Sequence, residues 1–205
     1  LHEPRATSYE LRATSYEIRD TRNEMHYQII KIGKEDIGLV WSEASGRLRI
    51  EAIYLPGNKK IPERILQDFP FISETPRKIP GGLDQIIADL YRGKKRDFDL
   101  SILNWSCLAP FAAGVLKQAC KIPRGRVDTY AGLAARAGSP RAARAAGTAL
   151  ANNPFPIVIP CHRVVRSGGD IGQFGGGTDM KKQLLEREGV VFARQRRVDQ
   201  KCIRR

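Results

Sequence analysis

Cysteine is too scarce and too widely spaced to hold this chain together. Cys107, Cys120, Cys161 and Cys202 form no CxxC pair, and residues 1–104 contain none, which excludes a disulfide-dense secreted scaffold. Histidine is scarcer still: His2, His26 and His162 lie far apart, so no Cys/His run has zinc-site spacing, and neither a metal nor a cofactor is expected. No stretch approaches the roughly 18 consecutive apolar residues of a membrane span. The N-terminus lacks the basic-then-apolar layout of a signal peptide. A soluble intracellular protein with no membrane partner is therefore expected. Acidic residues are missing from one region in particular. Between Ser106 and Arg166 the only acid is Asp128, against Lys117, Lys121, Arg124, Arg126, Arg136, Arg141, Arg144, Arg163 and Arg166.

What is present is positive charge. The 205 residues carry a formal net charge of +13, which favours polyanionic partners through counterion release and steering. Charge alone fits any basic soluble protein, but its concentration between residues 106 and 166 points to a phosphate-facing surface.

The chain divides by composition into four parts. Residues 1–24 repeat RATSYE and hold few core-forming side chains; they are expected to be a disordered or non-native extension. Residues 25–104 predict an α/β domain. Strands at 27–32, 37–41 and 48–55 are rich in β-branched and aromatic residues and are separated by Gly-containing turns, as in an antiparallel meander. Leu83, Ile86, Ile87, Leu90 and Tyr91 then share one helical face, with a stop near Gly93. Residues 105–192 predict a mainly helical domain. Ser106 is expected to cap a helix reaching Cys120, with Pro110 near its first turn. Thr129 is expected to cap a short helix to Ala137, and Pro140 to start another that ends near Asn152, the spacing of a helix-turn-helix. Residues 193–205 form a basic tail, expected to be solvated or to touch DNA non-specifically.

Two segments carry chemistry. The helix around Arg141-Ala142-Ala143-Arg144-Ala145-Ala146-Gly147 has almost no bulk apart from its arginines, which suits close approach to a groove wall and equally an exposed, Ala-stabilised helix. Downstream, Pro156 and Pro160 flank Ile157-Val158-Ile159, which predicts an extended segment delivering Cys161 at a defined turn. A cysteine beside His162 and Arg163 is expected to sit in positive surroundings that favour thiolate, the reactive form. Neighbours on an extended chain point apart, so His162 would need a bridging water or a local turn to serve Cys161. A Cys-His dipeptide by itself is more often structural than catalytic.

The runs at 123–130 (PRGRVDTY), 142–147 (AARAAG) and 153–164 (NPFPIVIPCHRV), the Gly-rich 168–177 and 184–189 (LLEREG) together resemble the O6-alkylguanine-DNA alkyltransferase family, also called methylated-DNA–protein-cysteine methyltransferase. The resemblance covers about residues 104–190 with motif order and spacing kept. It implies a small ribonuclease-H-like α/β domain followed by a mainly α domain with a helix-turn-helix, acting as a monomer on double-stranded DNA through the minor groove. It implies stoichiometric, irreversible transfer of an alkyl group from O6-alkylguanine, and from O4-alkylthymine, to Cys161 after the nucleotide is flipped. His162 would take the thiol proton through a water, Glu188 would orient His162, and Asn153 would tie the recognition helix to the cysteine loop. Tyr130 would crowd the phosphate and donate to guanine N3. Arg144 would fill the vacated stack, with Ala143, Ala145, Gly147 and Arg141 against the groove. Val164, Phe174 and Gly175 would complete the pocket, although Phe174 stands where some relatives carry tyrosine. The implied location is the cytoplasm and nucleoid of a prokaryote or the nucleus of a eukaryote. Three other readings are weaker: a damage-binding relative normally lacks the cysteine, a helix-turn-helix regulator leaves the Pro-Cys-His-Arg run idle, and a Cys-His hydrolase wants an oxyanion hole.

Overall fold

A computed structural model describes residues 24–75 and 78–204; of the extension expected at 1–24, residues 1–23 lie outside the described residues, as does Arg205, whereas Glu24 already belongs to the first strand. Three long strands open the fold: β1 (Glu24–Ile32), β2 (Glu35–Ala44) and β3 (Arg47–Tyr54). They form an antiparallel meander with β2 in the centre, and a short strand β4 (Ser73–Glu74) adds to β1 in parallel, giving the order β3-β2-β1-β4. The strands run longer than their β-branched centres because ladder pairing carries polar residues such as Glu35 and Arg47 with it.

β2 is buried on both faces. Ile37, Leu39 and Trp41 point into the main core, whereas Val40 joins Tyr27, Ala52 and Tyr54 on the other side. That second side is covered by α1 (Ile61–Asp68), which buries Ile61 and Ile65. α1 was not expected from the sequence: it is short, carries Pro62 in its first turn and has only two core positions, too few for a helical period to stand out. Gly38 makes the packing possible, since a Cβ there would lie 2.4 Å from Ile61 Cγ2. On the first side sits α2 (Leu83–Tyr91), as its apolar face predicted.

The helical half follows as α3 (Pro110–Cys120), β5 (Asp128–Thr129), α4 (Tyr130–Arg136), α5 (Ala143–Ala151), β6 (Val164–Val165) and α6 (Thr178–Arg187). Thr129 caps α4 as expected, its hydroxyl accepting from Gly132 N at 3.0 Å. Ser106 does not cap α3. It lies in a separate 3-10 turn (Trp105–Cys107) and donates to Asn104 Oδ1 at 2.6 Å, while α3 starts at Pro110, whose missing N–H costs nothing at a first helical position. α5 starts at Ala143, not at Pro140, because 139–142 close a turn in which Ala142 N donates to Ser139 O. The halves share one core: Ile50 and Leu103 pack in the same cluster as Leu116, Leu133 and Phe155.

The C-terminal segment is not a solvated tail. β7 (Phe192–Arg194) and β8 (Arg197–Val198) form a hairpin, a 3-10 turn (Gln200–Cys202) follows, and Val198 and Cys202 are buried against Val127, Val165 and Ile171. Its basic side chains face outward while Phe192, Val198, Cys202 and Ile203 turn to the core, an apolar set too sparse to stand out beneath the charge count.

Gly38→Ala is expected to lower the unfolding free energy by about 1–3 kcal/mol, the usual cost of overpacking against a branched side chain. Urea denaturation would measure it, with Gly114→Ala, where an added Cβ meets nothing within 4 Å and φ is not positive, as the comparison without overpacking.

Candidate functional site

Cys161 lies on the wall of a cleft of about 1170 Å³ between α5, the 166–176 loop and the rim formed by β3 and α1. The approach to it is not extended. Ile157 adopts φ 73°, a left-handed conformation that costs a β-branched residue about 1–3 kcal/mol. Ile159 N then donates back to Phe155 O at 2.8 Å. The prolines therefore bracket a tight turn, held because Phe155, Ile157 and Ile159 are all buried in the shared core. Asn153 fixes the turn from inside, donating through Nδ2 to Ile159 O (3.1 Å) and accepting from Phe155 N at Oδ1 (3.0 Å). Pro154 O also accepts from Ile53 N of β3 at 2.8 Å.

A 3-10 turn (Cys161–Arg163) sends the next three side chains in different directions. His162 is 2% exposed, and its Nε2 stands 3.1 Å from Glu188 Oε1. Arg163 grips the same carboxylate twice, from Nε at 2.7 Å and Nη2 at 2.8 Å, and anchors Nη1 on Ile122 O. Burial opposes ionisation of Glu188, yet the hydrogen bonds from His162 and Arg163 hold its carboxyl at about 2. Burial pushes His162 down despite Glu188, so its imidazole is neutral at pH 7. With Nε2 facing a carboxylate the proton belongs on Nε2. Nδ1 is then a bare acceptor, buried and without a hydrogen-bonding partner among the described residues.

Cys161 corrects the electrostatic expectation. Arg163 is turned to Glu188, and burial pushes the thiol pKa up, against the opposing pull of an Asn153 hydrogen bond and the Lys181 ammonium. The resting group is a thiol, to be deprotonated when needed. Lys181 is the residue that sequence reasoning missed. It is 1% exposed, lines the cleft, donates to Val164 O at 2.6 Å, and lies 5.9 Å from the Tyr130 ring centroid. Burial lowers its pKa to about 8. Its signal was weak, one lysine of the Lys181-Lys182 pair on an otherwise polar helix, but Lys181 shares the inner face with Leu184 and Leu185.

Of the other sequence candidates, Tyr130, Ala143, Arg144, Gly147, Asn153, Phe174 and Gly175 line the cleft with Cys161. Tyr130 packs on Gly147, where a Cβ would sit 3.7 Å from the ring. Arg144 is exposed. Arg141 and Ala145 are exposed but stand off the cleft lining, and Val164 is fully buried with its carbonyl engaged by Lys181.

The chain is similar to known proteins of one family. The family described as "6-O-methylguanine DNA methyltransferase, DNA binding domain" matches residues 110–190. The chain is 44% identical over 155 residues to the methylated-DNA–protein-cysteine methyltransferase of Methanothermobacter thermautotrophicus, covering 76% of this chain and 80% of that relative. The crystal structure of Mycobacterium tuberculosis O6-methylguanine methyltransferase superposes with a TM-score of 0.63 at 28% identity, over 80% of this chain and 93% of that one. That of Mycobacterium tuberculosis OGT in complex with DNA gives 0.60 at 29%, over 80% and 92%.

Glu188→Gln is expected to destabilise the fold by about 3 kcal/mol, because it leaves Arg163 with no carboxylate partner. Acid should destabilise the unaltered protein in two windows. His162, depressed in the fold, takes up its proton on unfolding as the pH drops below about 6.5; Glu188, also depressed, loses its contribution between about pH 4.5 and 2. Urea midpoints at pH 7, 5.5 and 3 would measure both, and the Gln variant should show a flatter lower window.

Proposed function

The chain belongs to the methylated-DNA–protein-cysteine methyltransferase family, and on that premise we propose that Cys161 is the alkyl acceptor of a DNA-repair reaction in which each molecule acts once. The observation that carries the reading is the neighbourhood of that thiol. It is buried on a cleft wall, next to a neutral histidine whose far nitrogen is backed by a carboxylate.

The chemistry follows from these groups. Sγ attacks the alkyl carbon of O6-alkylguanine in line with the C–O6 bond; a thioether forms as that bond breaks. The thiol proton passes through a water to His162 Nδ1, and the imidazolium is stabilised by Glu188. The electron pair of the broken bond goes onto the guanine, which the Tyr130 hydroxyl stabilises by donating to N3 and which finally takes up, by way of solvent, the proton that the imidazolium gives back. O4-alkylthymine presents the same alkyl ether and is a second substrate. Lys181, held against the cleft, adds positive charge where the thiolate develops. Nothing in the site hydrolyses a thioether, so turnover stops at one equivalent.

DNA access is the other half of the reading. A base inside a duplex cannot reach a thiol on a cleft wall, so the damaged nucleotide must be flipped. We read 130–151 as a helix-turn-helix whose second helix, α5, enters the minor groove. Its Ala and Gly side chains leave room in a groove only about 6 Å wide, and Arg144 fills the vacated stack. The N-terminal sheet is read as ribonuclease-H-like and the protein as a monomer working where the chromosome is.

Intact-mass measurement after incubation with a duplex holding one O6-methylguanine should show one added methyl group on the Cys161 peptide, and no second equivalent repaired. Many equivalents per protein, or no gain in mass, would sink the reading. Cys161→Ala should bind the duplex and gain no mass. Arg144→Ala should slow repair in duplex DNA far more than transfer from free O6-benzylguanine; equal losses in the two assays would remove its stacking role.

A further inference from the structure

Positive charge on the C-terminal hairpin has no role in the site just described. Arg194, Arg196, Arg197 and Lys201 are exposed and Arg204 is partly so. The single acid between 192 and 204 is Asp199, whose carboxylate is turned onto Lys201 N at 2.8 Å. None of the five basic side chains forms an ion pair among the described residues. Some charges elsewhere are neutralised within the fold: Asp89 alone gathers Arg92, Lys94 and Arg96. Hydrogen bonds to the 121–127 loop enlarge the patch, since Arg126 donates to Lys201 O and Arg204 to Lys121 O.

Two features set this patch apart from a loose charged tail. The hairpin is anchored by buried Val198 and Cys202 and by Val127 N donating to Cys202 O at 2.9 Å, so like charges are held together against their repulsion. It is also anchored on the cleft's own loop. Ile171 N donates to Arg196 O at 3.1 Å and Val198 N to Gly169 O at 2.9 Å, while Arg166 and Ser167 before this pairing and Gln173–Gly176 after it line the cleft. The arginines therefore stand one loop-width outside the cleft. DNA seated over α5 with a nucleotide in the cleft would run on past this loop, and its closely spaced phosphates suit a cluster of exposed guanidinium groups that form no ion pair among the described residues.

We propose that the β7–β8 hairpin is a second DNA-binding surface, which grips backbone phosphates beside the damaged nucleotide while α5 and the cleft hold the lesion. The proposal rests on the alkyl-transfer reading and adds to it a separate source of duplex affinity. A duplex seated this way is bound at two points across the 166–176 loop, so that loop is pressed onto the DNA from its outer side.

The test compares the unaltered protein with an Arg194→Gln, Arg196→Gln, Arg197→Gln triple variant, by duplex affinity across a KCl series and by transfer from free O6-benzylguanine. The slope of log affinity against log salt should fall by about 2–3, at roughly 0.9 for each phosphate no longer neutralised, with at least a roughly tenfold weaker complex at low salt. Transfer from the free base should not change. The same three positions as lysine should keep the slope. An unchanged slope in the Gln triple, or an equal loss in the Lys triple, overturns the proposal. If the Gln triple fails to fold, the singles Arg194→Gln and Arg196→Gln decide: each should lower the slope by about 0.9, and two unchanged slopes overturn it. Absence of methyl transfer from duplex DNA by the unaltered protein would defeat the alkyl-transfer reading instead, whatever the slopes.

Discussion

The Glu188 carboxylate is the point on which the site depends. It receives His162 and, twice, Arg163, so one buried anion sets the direction of two consecutive side chains. Without it Arg163 would be a largely buried cation with no carboxylate partner, held only by Ile122 O, and His162 would have no preferred tautomer. Removing one member of such a set leaves the others desolvated and uncompensated, which is why the cost exceeds that of one hydrogen bond. The third side chain of the turn, Cys161, is thereby left facing the cleft as a thiol.

Glu188 is itself held from the N-terminal half. It caps α6, and the preceding Arg187 is clamped there: Arg187 Nη1 donates to Tyr91 O, its guanidinium lies 5.2 Å from the Tyr91 ring centroid, and Arg124 holds its carbonyl. Gly93 packs directly against Arg187, where a Cβ would meet its Cβ at 2.6 Å. Tyr91 is fixed in turn by Glu35 on β2. The sheet domain carries no reactive residue, yet through this chain and through Ile53–Pro154 it positions both ends of the chemistry. A shared apolar core makes these ties rigid, because a close-packed interior moves as a unit.

Repair of alkylated DNA by transfer to a cysteine thus needs little special reactivity in the resting protein. Burial pushes the thiol up and the imidazole down, so both side chains favour their neutral forms in the resting fold. For a protein that acts once, as proposed for this chain, that is an advantage: an exposed thiolate would be spent on oxidants and small electrophiles.

Much of this was legible in the sequence where the signal was local. Three strands, α2 and the Thr129 cap follow from side-chain period and cap chemistry, because those depend on neighbours within a few residues. The linked motifs carried the family and the Cys161, His162 and Glu188 candidates. What depended on distant partners was not legible. Ser106 had the chemistry of a cap but found Asn104. Pro156 and Pro160 bracket a turn because the core pulls Phe155, Ile157 and Ile159 inward. The basic tail became a hairpin because Val198 and Cys202 had a core to enter. Lys181, hidden among surface lysines, became a buried cation beside the thiol. Which reactive groups exist, and in what order, is written in the chain itself. Which of them are desolvated, and what each faces, came only with folding, since burial and partner choice are set by residues far apart in the chain.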